Sequence, residues 1–494
     1  MSRIGSRQRA LAASAVAVLL LNTGCAARFA RPEAGAAGQQ QLTQDGLPPD
    51  QGGTPVTSTD GGQPALGTTG VLAPTSGTFV PATSGGSLHG GSTGQQGSTS
   101  GTGGSTSGGS TGGTTGPVAV PAGNQTGVTK TSVLIGLFVP KTGAAPVPPT
   151  IDAQAQNYWD YVKSKVGGIY GRNVTVKIYD TKSTEKDART AVQQAVSDHI
   201  FAAITLDRIS VEGALVTALH NAGIPHLINQ MPHDQAIPSD GFYIGTDQVH
   251  NGVQIADYMA HTLKVHKVGF VGEADPTAYP ARNAFIAEAG RLGLQVVYND
   301  VIDGMGNQFL AQSQAMANAK AEAMWMYVAP NNAINLSVET KNDGYHPTWV
   351  SSSIAWGFNL ALTPASGGLD GARAFSPWGG LQDPRYKTYN QVNTQGRSND
   401  DKDIGLPAWG YGQIIAAAMK AAGPNLGRNS FDVALQNLRT GSTDVVTGAP
   451  MCWPPLDFTG GKRYGSGDRT IVMRVQGSGT TSLWATESDY KSVY

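Results

Sequence analysis

The chain has 494 residues, a formal net charge of −1 and only 14% charged residues. With no basic stripe it offers a nucleic-acid partner no electrostatic footing, and two cysteines are too few for a disulfide framework. The length allows two or more domains, and the 65 glycines are spread over two unlike regions.

Arg3, Arg7 and Arg9 precede the apolar run Ala10–Leu21, the layout of a secretory signal over residues 1–24. The run is shorter than the ~20 residues a spanning helix needs, and no later run reaches that length. Thr23-Gly24 before Cys25 resembles the lipobox of bacterial lipoproteins, in which the cysteine is lipidated and becomes the mature N-terminus. Asn22 departs from that pattern, where an aliphatic residue is usual. An ordinary signal peptide with a chance cysteine is the alternative. Either way the chain leaves the cytoplasm, and any membrane attachment goes through Cys25. Residues 25–127 form a linker, almost wholly Gly, Ser, Thr, Gln and Pro from residue 35, which cannot bury enough apolar area to order itself. As a coil, residues 35–127 would span roughly 50–60 Å, a passive tether by default.

From Thr131 the pattern changes. Val133–Val139 is a short continuous apolar run, as in a strand buried on both faces. A helix with Ala153, Tyr158, Tyr161 and Val162 on one face follows, then a strand at Val174–Tyr179. The next helix opens at Thr184, with Asp187 three residues on as in a capping box. Strands at Phe201–Leu206 and Ile224–Ile228 flank a helix starting near Ser210. The alternation continues through Lys267–Val271, Ala278–Leu292, Gln295–Val301, Asn307–Ala319, Ala323–Val328, Asn331–Asn342 and Thr348–Val350. Such alternation predicts an α/β fold with parallel sheets, in two units that break near Ile244–Val249. Ligands of open α/β sheets bind beyond the carboxyl ends of the strands, so the expected site is the cleft between the two lobes.

Several motifs in this order carry a family resemblance. Pro140-Lys141-Thr142-Gly143, Gly167-Gly168-Ile169-Tyr170-Gly171-Arg172, Ala222-Gly223-Ile224-Pro225 and Trp409-Gly410-Tyr411-Gly412 resemble the type I periplasmic binding proteins. The match is to their branch of branched-chain amino acid (Leu/Ile/Val) ABC-transporter substrate-binding lipoproteins, over about residues 131–476. The resemblance implies two Rossmann-like lobes joined by three crossovers, with lobe one at 131–246 plus 378–442 and lobe two at 247–377 plus 443–494. It also implies a small-molecule ligand, an ABC permease as partner, a monomer, contact with the membrane through the lipid alone, and no cofactor or metal.

The same resemblance assigns the pocket. Relatives hold a ligand carboxylate at a helix start after the third strand, where N–H groups favour an anion; here that is Ser210, a plain N-cap being the alternative. Gln230 lies in the loop after the fourth strand, and Tyr279 follows the first strand of lobe two. Val328 stands where relatives often carry an aromatic. Amino-acid binders place an acid after the strand that here ends at Val350, but this chain reads Ser351-Ser352-Ser353 with Trp356 nearby. A buried ammonium without a counter-charge is costly, so Ser352, Ser353 and Trp356 suit a neutral or mixed polar–apolar ligand. Asp207, Arg208, His233 and Arg282 read as solvated rim residues that could also meet a charged ligand.

No nucleophile elbow, His-Glu-x-x-His or Cys/His metal spacing supports an enzyme. Gly460–Gly465 lacks phosphate-loop spacing and reads as a hairpin, and Cys452 as a buried, inert thiol. The expected function is a lipid-anchored solute receptor on the outer face of the cell membrane serving an ABC importer. The alternatives are a sensor module that signals to a membrane kinase and a wall-associated structural lipoprotein without ligand.

Overall fold

The computed structural model describes residues 121–143, 146–275, 277–302, 309–352, 359–393, 399–467 and 469–491. Cys25, the signal segment, the linker up to residue 120, Ser353 and Trp356 lie outside the described residues. Two sheets organise the rest. The first has the order β2-β1-β3-β4-β5, built from β1 (Ser132–Val139), β2 (Asn173–Asp180), β3 (Ala202–Thr205), β4 (His226–Ile228) and β5 (Gly241–Tyr243), all parallel. Helices α1 (Ile151–Val166), α2 (Glu185–Ser197) and α3 (Ile209–Asn221) make its crossovers. Strand β3 is buried along its whole length, which is why its sequence is an unbroken apolar run. Thr184 caps α2 by accepting from the Asp187 N–H at 3.1 Å, as the spacing predicted.

The second sheet has the order β12-β11-β10-β9-β8-β6-β7. Its parallel part comprises β6 (Lys267–Glu273), β7 (Gln295–Ile302), β8 (Ala323–Tyr327), β9 (Thr348–Ser352) and β10 (Arg373–Ser376). β11 (Thr470–Gln476) and β12 (Leu483–Lys491) extend it antiparallel. Helices α4 (Gln248–Tyr258), α5 (Ala278–Arg291), α6 (Leu310–Ala319) and α7 (Pro330–Asn342) belong to this lobe. Between β10 and β11 the chain returns to the first lobe with α8 (Asn399–Ala422), which packs on α1, and α9 (Arg428–Gln436).

The glycines of Trp409-Gly410-Tyr411-Gly412 have a packing reason. A Cβ on Gly410 would meet the Trp453 ring at 3.0 Å, and one on Gly412 would overlap the Tyr158 ring. Without side chains there, α8 settles against α1 and the 451–458 segment, and Trp409 packs edge-on to Tyr158 with centroids 5.2 Å apart.

Three readings shift. The last stretch assigned to the linker is bound to lobe one: the Ala122 carbonyl accepts from Asn429 N–H and that of Asn124 from Arg428 N–H, at 3.2 and 2.7 Å. Residues 443–466, assigned to lobe two, pack on lobe one. Tyr158 donates to Asp444 at 2.9 Å, Trp453 Nε1 to the Ile244 carbonyl at 2.9 Å, and Phe458 lies 5.3 Å from Phe242. The apolar side chains of Met451–Phe458 find their cover there, so the third passage between lobes falls near residues 466–470. The Gly460–Gly465 segment is no hairpin; it is a short turn after which Tyr464 bridges in parallel to Tyr243 on the sheet edge.

Candidate functional site

The carboxyl ends of the two parallel sheets meet at one place. Arg208 follows β3 and is the N-cap residue of α3; Glu273 is the last residue of β6. Their side chains touch across the lobes, Arg208 Nη2 lying 3.3 Å from Glu273 Oε2. The other Glu273 oxygen accepts from the Ala329 N–H at 2.7 Å and the Asn332 amide at 2.6 Å, which fixes the carboxylate at the start of α7. Burial pushes the Glu273 carboxyl up, against the pull of those two donors and of Arg208.

Asp207 is buried, not on the rim. It accepts from the Thr181 and Ser183 hydroxyls and from the Arg208 backbone N–H. Burial nonetheless raises its carboxyl, the hydrogen bonds opposing. The Asp207 N–H donates to Glu212 Oε1 at 2.8 Å. Glu212 is fully buried and its other oxygen meets no partner among the described residues, so desolvation, followed by the neighbouring Asp207 charge, lifts its carboxyl well above the usual range. On the opposite lobe Asp275 caps α5 through the Thr277 N–H (2.7 Å), the Thr277 hydroxyl (2.8 Å) and the Ala278 N–H (2.9 Å), and the Thr277 hydroxyl also meets the buried Tyr327 hydroxyl.

The residues expected at the site are only partly brought together. Gln230 is buried and donates to the Asp207 carbonyl, directly behind Arg208. Val328 is buried between β8 and Ala329, whose N–H Glu273 holds. Ser352 closes β9 with its hydroxyl buried and unpartnered among the described residues, while Ser351 donates to the Ser352 carbonyl at 2.7 Å. Ser210 is exposed, in the first turn of α3 and not at its cap. Tyr279 is 49% exposed and stacks under Arg282 at 5.1 Å. His233 pairs with Asp247 at 2.9 Å. The reading of the sequence passed over Glu273, Asn332 and Thr277; the available signal was a carboxylate ending an apolar strand, which a boundary drawn at Val271 left out. An open groove of about 660 Å³ between α8 and α9 lies elsewhere on lobe one, and its Lys420 is already bonded to the Val445 carbonyl. Among the described residues no group of His, Cys, Asp or Glu could hold a metal ion, and no helix is long and apolar enough to cross a membrane.

Two α/β lobes that meet at their strand ends, with the chain passing between them three times, define a bilobal binding protein. A family profile described as "Periplasmic binding protein" matches residues 132–455, and the chain belongs to that family. Its members are solute-binding proteins of ABC transporters, extracytoplasmic and in general not enzymes. No curated protein matches the sequence. Among solved structures, a solute-binding protein of an ABC transporter from R. palustris in complex with 4-hydroxybenzoate is similar at 14% identity. The likeness covers 73% of this chain and 97% of that one, with a TM-score of 0.61. A fatty acid ABC transporter substrate-binding protein from Thermomonospora curvata reaches 17% identity, 75% and 96% coverage and a TM-score of 0.62. A leucine binding protein from Thermotoga maritima reaches 13%, 73% and 99%, with a TM-score of 0.57. At these identities the likeness is one of fold.

Proposed function

We propose that this chain is a lipid-anchored receptor on the outer face of the cell membrane that captures a small organic solute between its lobes and delivers it to an ABC permease. The observation that carries the reading is the contact of Arg208 with Glu273 across the lobes at 3.3 Å. Polar groups from both lobes converge there, so a solute held between them would couple occupancy to lobe closure, the hinge motion by which bilobal receptors signal a bound ligand. Attachment through Cys25 and a long tether would keep a chain exported by its signal segment near its permease.

The ligand we favour has an apolar body with a polar head. Strand β9 ends in serines with no acid, and the carboxylates in the cleft are already held by donors of their own lobes. The ligands named for the structural neighbours, 4-hydroxybenzoate and fatty acid, have that character. The test is thermal unfolding of the purified full chain against amino acids, amides, aromatic acids and fatty acids. A ligand at 100 times its Kd should add ~2.7 kcal/mol; a panel in which nothing raises the midpoint overturns the receptor reading. Radiolabelled palmitate entering the wild type but not Cys25→Ala checks the anchor.

A further inference from the structure

We propose that the end of lobe one remote from the cleft is a docking face for an anionic lipid surface, a second membrane contact beside the one expected through Cys25. Helices α1 and α2 start after the carboxyl ends of β1 and β2 and finish before β2 and β3 begin, so their last turns lie at the strand ends opposite the cleft. Groups from several segments are tied together there. The Tyr170 hydroxyl donates to the Lys420 carbonyl near the end of α8 at 2.7 Å, and Lys420 Nζ to the Val445 carbonyl at 2.6 Å. Arg172 donates to the carbonyls of Thr129 (2.8 Å) and Pro424 (3.0 Å). The first described residues lie on the same end: a Cβ on Gly127 would overlap the backbone of His199–Phe201, and the Asn124 carbonyl accepts from the Arg428 N–H. The chain coming from the linker therefore meets the lobes here.

Charge and apolar surface coincide on this face. Lys130, Lys163, Lys165 and Lys420 are exposed. Arg172 adds its full charge, because the groups it meets are neutral carbonyls. Residues 121–151, 161–179 and 412–431, from which this end is built, contain no Asp or Glu. Two acids stand nearby: Asp198, held by Lys177 Nζ at 2.6 Å and the Tyr179 hydroxyl at 2.8 Å, and Asp160, a turn earlier on α1. Six large apolar side chains are exposed among the described residues, and four of them, Val166, Tyr170, Val196 and Val445, lie at or beside this end. Lysines in the last turns of α1 and α8 suit the partial negative charge of helix carboxyl ends; that gives no reason for the apolar side chains among them. A cationic face with apolar and aromatic side chains between its charges is what an interfacial contact with anionic lipid requires. The corresponding end of lobe two mixes its signs, Glu288 pairing with Arg291 and Asp257 with His261. Even a weak contact suffices where a lipidated tether already confines the lobes near the bilayer. The docked molecule holds its cleft away from the lipid and open to solute, and it must release the lipid to present that cleft to a permease.

The experiment uses the full chain with Cys25→Ala, so that no lipid contributes, and one further substitution, Val166→Cys or Val445→Cys, to carry a polarity-sensitive dye. Cys452 is buried and stays unlabelled. A Leu310→Cys label on lobe two is the control. Phosphatidylglycerol vesicles should shift the emission at positions 166 and 445 to the blue, phosphatidylcholine vesicles should not, and the dye at position 310 should respond to neither. The signal segment is common to all these proteins, so it cannot produce a shift confined to one face. Lys163→Gln combined with Lys165→Gln should weaken vesicle binding read at position 445 by about 25-fold, about five-fold for each lysine, and added salt should weaken it as well. Circular dichroism checks that the variants fold; if the double variant does not, Lys130→Gln, on the exposed stretch before β1, should cost about five-fold. No shift, equal shifts at all three positions, an equal response to both lipids, or an affinity that the lysine variants leave unchanged overturns the proposal. A shift that needs no vesicles and grows with protein concentration gives the face to a second copy instead, and one produced by poly(glycerol phosphate) but not by vesicles gives it to an acidic polymer. None of these outcomes touches solute binding, so the receptor reading stands or falls by its own thermal test.

Discussion

Glu212 offers the sharpest test of the buried chemistry behind the cleft. It is fully buried on α3, one oxygen accepts from the Asp207 N–H at 2.8 Å, and the other has no partner among the described residues. An ionised carboxylate there would be starved of solvation, so the folded state keeps its proton well past the usual range, first because of burial and then because of the Asp207 charge. In the unfolded chain a glutamate loses its proton at about pH 4.3. Between that pH and the raised folded value, the folded state binds one proton more than the unfolded state. Stability contributed by this group is therefore complete below about pH 4.3 and falls as pH rises, by ~1.4 kcal/mol per pH unit for one proton. The loss stops once the folded carboxyl also ionises. Glu212→Gln keeps the acceptor for Asp207 and removes the titration. The stability difference, variant minus wild type, should grow from pH 5.5 to 6.5 to 7.5, with a slope of at most ~1.4 kcal/mol per pH unit for as long as the folded group stays protonated. Asp207 and Glu273 shift in the same direction and are present in both proteins, so the difference reports Glu212 together with its coupling to Asp207. Urea unfolding of the full chain at those three pH values, followed by tryptophan fluorescence, supplies the numbers. Parallel stability profiles for the two proteins would refute the assignment of a protonated Glu212.

Three other outcomes follow from the packing. Gly245→Ala should cost about 3 kcal/mol, at the top of the overpacking range, because its Cβ would overlap the Asn229 backbone carbonyl oxygen, which no side-chain rotation can move aside; chemical denaturation reads it, and a change under 1 kcal/mol would contradict the packing. Arg428 donates to the carbonyls of Ile200 (2.6 Å), Gly223 (2.9 Å) and Phe201 (3.2 Å), so Arg428→Ala should destabilise by about 2–3 kcal/mol while leaving ligand affinity unchanged. Cys452 is a free, buried thiol whose ionisation burial suppresses; it should resist iodoacetamide in the folded protein and react once unfolded, and fast native labelling would contradict its burial.

The fold was legible wherever its signal was local. Continuous apolar runs marked β1, β3 and β8 because parallel strands are buried on both faces, and Thr184 with Asp187 marked the start of α2 by a hydrogen bond closed within one turn. Strands β5 and β10, of three and four residues, were not marked, because Gly241 and Arg373 open them and no run of aliphatic residues like that around β3 announces them. β11 and β12 were missed because they join antiparallel at the edge of the second sheet after a long excursion through lobe one. The destination of residues 443–466 was hidden for a related reason. Trp453 and Phe458 announce a core, and nothing near them in the chain says which one.

For the site, the sequence alone located the strand ends that face the cleft and the serines at the end of β9. It also placed Arg208 and Asp207 at one of those ends. It could not tell that Asp207 is buried and committed to Thr181 and Ser183, or that Ser210 lies exposed in the first turn of its helix with Arg208 at the cap. Those outcomes depend on partners distant in the chain: Arg208 meets Glu273 across 65 positions and Tyr158 meets Asp444 across 286. Burial pattern, turn chemistry and capping are properties of a few neighbouring residues, so the sequence determined the alternation of strand and helix and the two-lobed class. Which charges are paired, which are sealed and which donor remains free depend on what the folded lobes bring together, and only the tertiary structure decided that.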